Sequence, residues 1–255
     1  MHDHNYIGII PNYNDFLLSI IKGDVDGYSF VRKFGFNSDI DTAADEDIWS
    51  VGGNYSFPSS ASILRVDSTS ASDVGTLGGK GVGAQVVTIQ GLNADYNEVE
   101  VDVTLTGTVA VSTTQTFIRV NRAFVKEAGS NGTNVGDINI DLGGADRSQI
   151  PATYGQTQQT IYTVPAKKTA YLMDMSGAVV KRNSGITTLE LWVHERGIKK
   201  MKQSINVSID GSTTYQKDLR YIKIPETSDI RVHCSYASTN NLAVFANYGL
   251  ILIDD

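Results

Sequence analysis

The sequence predicts an all-β fold: an N-terminal arm followed by two antiparallel β-sandwich domains of jelly-roll-like type. Three observations carry that prediction. Between Gln85 and Val125 apolar and polar residues alternate, with Val99, Val101, Val103 and Leu105 on one face and Glu98, Glu100, Asp102 and Thr104 on the other. This is the period of a half-buried strand. Turn chemistry punctuates the run at Gly91-Leu92-Asn93-Ala94-Asp95 and at Thr106-Gly107-Thr108. The repeated amphipathic helices that βαβ units require are missing, and no short repeat points to a solenoid or propeller.

Residues 1–47 differ from the rest. Tyr13 to Lys22 (YNDFLLSIIK) reads as a short helix, started near Asn14 or Asp15 and stopped by Gly23. The aromatic, glycine-punctuated stretch Gly27 to Asn37 is too short to close a core, and an acidic loop, Asp39 to Asp47, follows. The whole reads as an extended arm that packs on a neighbour or on the body of its own chain. Its docking residues are Tyr28, Phe30, Lys33, Phe34, Phe36 and Trp49, because aromatic anchors dominate interface energetics. The competing reading is a simple first strand and loop of the first domain. If the segment is an arm, deleting residues 1–47 leaves folded domains.

Residues 48–150 form the first expected β-sandwich, with strands near 61–67, 85–91, 98–106, 116–126 and 136–142. Gly143-Gly144-Ala145-Asp146-Arg147 reads as a linker before Pro151. Residues 151–255 form the second, with strands near 158–164, 169–180, 186–194, 203–209, 218–223, 229–236 and 242–253. Short strands separated by turn signals suit a sandwich or jelly roll better than a parallel sheet.

At 255 residues the chain is long enough for one large sandwich or two domains. A net charge of -7 argues against general nucleic-acid binding. The charge is uneven: acid crowds the first 49 residues, and a basic strip gathers Lys181, Arg182, Arg196, Lys199, Lys200 and Lys202. That strip is either a solvated edge protected by lysines or a surface for an acidic partner, such as the acidic arm of another copy. The single cysteine, Cys234, excludes an internal disulfide and reads as a buried thiol. Met1-His2-Asp3-His4 is not the basic start of a signal peptide, and apolar runs fall short of the ~20 residues of a membrane span. Folding in a cytoplasm is expected.

Candidate chemical motifs fail in detail. Gly75 to Ala84 (GTLGGKGVGA) invites a phosphate-loop reading, but Val74 stands where a glycine is needed and Gly81 follows Lys80. Asp137-Ile138-Asn139-Ile140-Asp141 resembles the start of a calcium loop, but Leu142 replaces the turn glycine and Ser148 the bidentate Glu. The acidic loop Asp39, Asp41, Asp45, Glu46 and Asp47 reads as a solvated or partner-facing patch rather than a cation site. His2 and His4 lie near the terminus, while His194 and His233 stand singly in strand patterns without zinc-ligand spacing. No nucleophile elbow is present. No catalytic residue, cofactor or metal site is assigned.

Several stretches nonetheless resemble virion structural proteins of tailed, often marine, bacteriophages. The resemblance rests on Val87 to Glu98 (VTIQGLNADYNE), Val103 to Thr108 (VTLTGT), Phe117 to Phe124 (FIRVNRAF) and Ala128-Gly129-Ser130. It also rests on Gly27-Tyr28-Ser29, Lys33 to Asn37 (KFGFN), Asp47-Ile48-Trp49 and Tyr162 to Leu172 (YTVPAKKTAYL), where Lys167 replaces a more usual glycine. It implies a non-enzymatic particle component and does not fix its location on the particle; the expectation adopted is a protein assembled in several copies in the host cytoplasm and carried on the particle exterior as a tail, neck, fibre-associated or capsid-decoration protein. Its implied partners are other virion proteins and copies of itself, without nucleic acid or membrane. In this scheme the arm docks, the first sandwich packs between subunits and the second projects. The alternative is a carbohydrate-binding or host-recognition module of the virion, with Trp192 and Tyr236 as the sugar or host-contact residues.

Overall fold

The computed structural model describes residues 13–42, 45–76, 79–179, 185–208 and 214–255, and side chains at 13–15 and 214–220 are not described. The order begins with α1 (Tyr13–Lys22), β1 (Tyr28–Ile40) and β2 (Glu46–Asp47). Next come β3 (Ser62–Ser68), β4 (Ala84–Leu92), β5 (Glu98–Thr104), β6 (Val111–Phe117), β7 (Arg119–Ala128), β8 (Ile138–Leu142) and β9 (Asp146–Ile150). The last group is β10 (Tyr162–Thr163), β11 (Lys168–Val179), β12 (Ile186–Glu195), β13 (Ile198–Ser208), β14 (Thr214–Ile224), β15 (Asp229–Ala237) and β16 (Leu242–Asp254). The expected all-β class is what the chain adopts: every strand pairing is antiparallel.

The strands between β3 and β9 build one sandwich. Its sheets run β6-β3-β8-β9 and β5-β4-β7. Between them lie Leu64, Val66, Val87, Ile89, Val103, Leu105, Phe117, Ile138 and Ile140, with Val99 and Val101 partly buried against them. The alternation along β5 thus delivers the face its sequence predicts. The strand expected over 116–126 is broken at Ile118, whose amide donates to the Leu92 carbonyl at 2.8 Å. There the chain steps from the sheet of β6 to the sheet of β7. The segment expected to be a linker is the β8–β9 hairpin turn, where Gly143 and Gly144 take φ of 70° and 86° and the Leu142 amide donates to the Ala145 carbonyl at 3.0 Å.

The second sandwich has sheets β1-β16-β11-β14 and β10-β15-β12-β13, with β2 also paired to β15. Apart from the split position described next, this is the strand order of an eight-strand jelly roll. Its core includes Leu172, Met175, Leu189, Leu191, Val232, Val244, Leu250 and the thiol-bearing Cys234, together with Ile40 and Ile48. A bulge at Met173, shared by both neighbours of β11, resets the alternation. Leu172 and Met175 therefore both reach the core while Asp174 ion-pairs with Arg32.

Two features depart from the expected arm and sequential domains. Residues 28–40 are a strand of the second sandwich, in register with β16 from Tyr28 opposite Ile253 to Ile40 opposite Leu242. The other is a split strand position. β2 pairs with His233 and Cys234, and β10 pairs with Ile230 and Asp229, on the same edge of β15. The two short strands lie end to end and fill one strand position. The first sandwich is inserted between them. Its stems are joined where the Ser50 amide donates to the Gln158 carbonyl (3.1 Å) and the Thr160 amide to the Ile48 carbonyl (3.0 Å). Gly35 of β1 sits directly beneath: a Cβ there would lie 2.3 Å from the Ile48 oxygen, so only glycine lets the strand pass.

Candidate functional site

The two sandwiches meet at a polar junction. Arg119, at the start of β7, makes a bidentate ion pair with Asp229 of β15, Nε–Oδ1 at 2.8 Å and Nη2–Oδ2 at 2.9 Å. Its Nη1 donates to the Pro58 and Ile118 carbonyls, and the Thr163 hydroxyl donates to Asp229 at 2.6 Å. Phe57 and Tyr96 place their rings 5.2 and 5.6 Å from the guanidinium. Burial alone would disfavour the Arg119 charge; its hydrogen bonds to Asp229 reverse that and hold its pKa above the ordinary value. Asn121 adds a reciprocal pair with the Thr163 backbone, and Gln159 donates to the Val120 carbonyl at 3.0 Å.

Beside this junction a cleft of about 660 Å³ runs along β1, the outermost strand of its sheet, and is walled by β4, β5 and β7 of the first sandwich. It receives Phe30, Lys33 and Phe34 from β1, Gln90 from β4, Glu98 and Glu100 from β5, and Arg122 from β7. Lys33 is only 7% exposed. Its ammonium donates to the Asn121 carbonyl. Burial, and then the positive charge of Arg122, push its pKa down to about 7.

Of the six residues expected to dock a partner, Phe30, Lys33 and Phe34 therefore come together in a cleft of their own chain. Tyr28 packs edge-on against Phe16 of α1 at 5.8 Å, and Phe36 stacks on Phe245 at 4.4 Å. Trp49 is 4% exposed, packed with Tyr55 and Ile161 at the stem of the insertion, its indole donating to the Gly53 carbonyl. Trp192 and Tyr236 share the outer face of the β12–β15 ladder, where Trp192 pairs with Arg231 and Tyr236 with Thr188. Tyr236 is exposed, while the half-buried Trp192 indole donates to Glu190 at 2.9 Å.

The remaining motifs serve the fold. In the Gly75–Ala84 stretch the Gly81 and Gly83 amides donate to the Val74 and Ser72 carbonyls. Asp137 and Asp141 accept from the Ala152 and Gly144 amides. Among the described residues no three His, Cys, Asp or Glu side chains are gathered as a metal site would gather them. In the acidic loop, Glu46 accepts from Asn37 and the Gly53 amide, and Asp41 from the Asn241 amide. Arg196, Lys199 and Lys200 are exposed on the β12–β13 hairpin; His2, His4, Lys181 and Arg182 lie outside the described residues. His194 packs edge-on against Phe57 at 5.4 Å, and burial holds its pKa below the ordinary value.

Fold and site together define a two-sandwich β protein whose polar chemistry concentrates between the sandwiches. No family model matches the chain, and no curated protein matches it. Solved structures with some likeness include infectious bursal disease virus, Gt strain, at TM-score 0.24 and 9% identity, covering 94% of this chain and 78% of that one. The Gx strain of the same virus gives TM-score 0.24 and 10% identity over 89% and 70%. A TM-score at this level is too low to support either fold or function.

Proposed function

We propose that this chain is a non-enzymatic virion structural protein of a tailed bacteriophage, present in several copies on the particle exterior as a tail, neck, fibre-associated or capsid-decoration component. The observation that carries the reading is the jelly roll that holds a second sandwich as an insertion on hydrogen-bonded stems. Jelly rolls serve repeatedly as viral shell and lectin modules, and an inserted rigid body supplies a second surface for a neighbour. Fold alone does not fix function, and the sequence resemblance supplies the rest of the support.

The docking element differs from the expected arm, because β1 spends its β16-facing hydrogen bonds inside its own sheet. Among the described residues of the N-terminal segment, α1 offers an apolar surface to dock: it exposes Phe16, Leu18 and Ile21 while burying Ile20. Repetition of such a contact in a symmetric particle adds avidity. Cryo-electron microscopy and mass spectrometry of particles purified from the producing host test the reading. Ordered copies on the exterior support it; absence of the chain from purified particles overturns it. Loss of incorporation on charging α1 with Phe16→Glu and Leu18→Glu locates the docking element.

A further inference from the structure

The cleft between β1 and the first sandwich has an unbalanced charge account. Glu98 is ion-paired with Lys168 at 3.2 Å and Arg32 pairs with Asp174, while Glu100 accepts from the neutral Gln90 amide at 2.8 Å and keeps its negative charge. Against that one carboxylate stand two basic side chains, Lys33 and Arg122. Among the described residues neither has a carboxylate partner: Lys33 donates to a backbone carbonyl, and Arg122 to the Gln156 side chain at 3.1 Å while lying over Phe124. A buried amine holds its proton firmly only beside a counter-charge, and here the cationic Arg122 stands near it instead.

We propose that this cleft binds an acidic saccharide, with the carboxylate of a uronic-acid ring held between Lys33 and Arg122. Three features select that chemistry. A guanidinium fork recognises a carboxylate in a planar, bidentate manner. One buried amine and one exposed guanidinium suit a single negative charge better than a phosphate dianion. The lining also carries ring faces from Phe30 and Phe34, amides from Gln90 and Gln156, and the carboxylates of Glu98 and Glu100, and these acceptors and donors fit the hydroxyls of a sugar ring. The cleft is sized for a ligand, since binding sites of about 300–1,000 Å³ are typical and favour domain interfaces. A strongly shifted titratable group in such a cleft is itself a mark of a functional site. This site is separate from the saccharide contact expected at Trp192 and Tyr236. The proposal does not depend on the virion reading, because it concerns the isolated chain.

The test is calorimetric and NMR titration of the full-length protein with tri-galacturonate, its methyl ester and inorganic phosphate. The acid trisaccharide is expected to bind and to move the titration midpoint of the Lys33 amine upward, while the uncharged ester and phosphate do neither. Lys33→Met and Arg122→Gln should each weaken binding about tenfold or more, the loss of one charge-assisted contact. Lys33→Met keeps the apolar stem and removes an unpaired buried cation, so its melting temperature should not fall. The exposed Arg122→Gln is the second probe should Lys33→Met fail to fold. Absence of tri-galacturonate binding, equal binding of acid and ester, equal binding of phosphate, or binding indifferent to both substitutions would each overturn the proposal.

Discussion

His233 lies between two carboxylates: its Nδ1 is 3.1 Å from Asp47, and its Nε2 contacts Asp45. Burial alone would lower the imidazole pKa, but hydrogen bonds to Asp47 and Asp45 outweigh it and raise the value above the ordinary one. The protonated ring donates from both nitrogens. Arg231 and the Tyr55 amide bind the second oxygen of Asp47, at 2.9 and 2.7 Å, so the cluster clamps β2 to β15. Because the folded pKa is raised, the stabilisation is complete below the unfolded value near 6.5 and is lost as pH rises through the folded one. Urea unfolding between pH 5 and 9 should therefore show wild type losing more stability with rising pH than His233→Asn; parallel profiles would refute the charged clamp. Asp73 is a second residue of this kind. Its carboxylate accepts from the Ala84, Val135 and Gly136 amides and the Ser68 hydroxyl, all within 2.9 Å. Asp73→Ala orphans these buried donors and should cost at least about 3 kcal/mol in urea unfolding; a loss below about 1 kcal/mol would show the loops find other partners. Neither role was legible in sequence. The partners of His233 lie 186 and 188 residues away, and Asp73 sits in a loop without periodicity.

At the scale of elements, β1 decides how the N-terminal segment behaves. Deleting residues 1–24 removes α1 and the buried Ile20 but keeps the β1–β16 ladder. The truncated protein should stay folded and lose about 1.5–3 kcal/mol, the worth of one buried aliphatic side chain. Deleting residues 1–47 is different. It strips the strand from β16, takes Ile40 from the core and removes the Asp47 clamp. That protein should be insoluble or lack a cooperative urea transition; a sharp transition there would return β1 to the status of a free arm. The sequence conceals this because β1 mixes Gly35, Lys33 and Asn37 into its inward face and finds its partner some two hundred residues later. Strands with plain alternation, such as β5 and β12, are legible. The β9 strand is not, because Gly143 and Gly144 read as a linker until β8 is seen to pair across them. Lys33 reads as a docking residue, but its place in a cleft depends on Asn121, 88 residues away.

At the scale of the molecule, the question is whether the jelly roll and its insertion are one folding unit or two. The cores are distinct clusters, and the stems that connect them are adjacent. Two residues of β2 and two of β10 are too few to carry a periodic signal, so an insertion within a single strand position is invisible to sequence reading. Insertion on close-set stems predicts that the jelly roll survives excision when Pro58 is rejoined to Thr157 by a flexible linker. One obstacle is electrostatic. Excision removes Arg119 and leaves the Asp229 carboxylate, 8% exposed in the intact chain, with Thr163 as its remaining side-chain partner among the described residues. Breaking a buried ion pair from one side costs about 3–5 kcal/mol, a large share of a domain's stability. The excised chain carrying Asp229→Asn should therefore be more stable than the excised chain alone, with a cooperative urea transition and native near-ultraviolet dichroism. In the full-length protein the same substitution should destabilise, because it leaves Arg119 buried without its counter-charge. Opposite signs in the two backgrounds would establish that the junction couples two separable sandwiches. If Asp229→Asn destabilises both chains, or the excised chain remains molten with it, the sandwiches fold as one unit and the insertion is integral to the jelly roll.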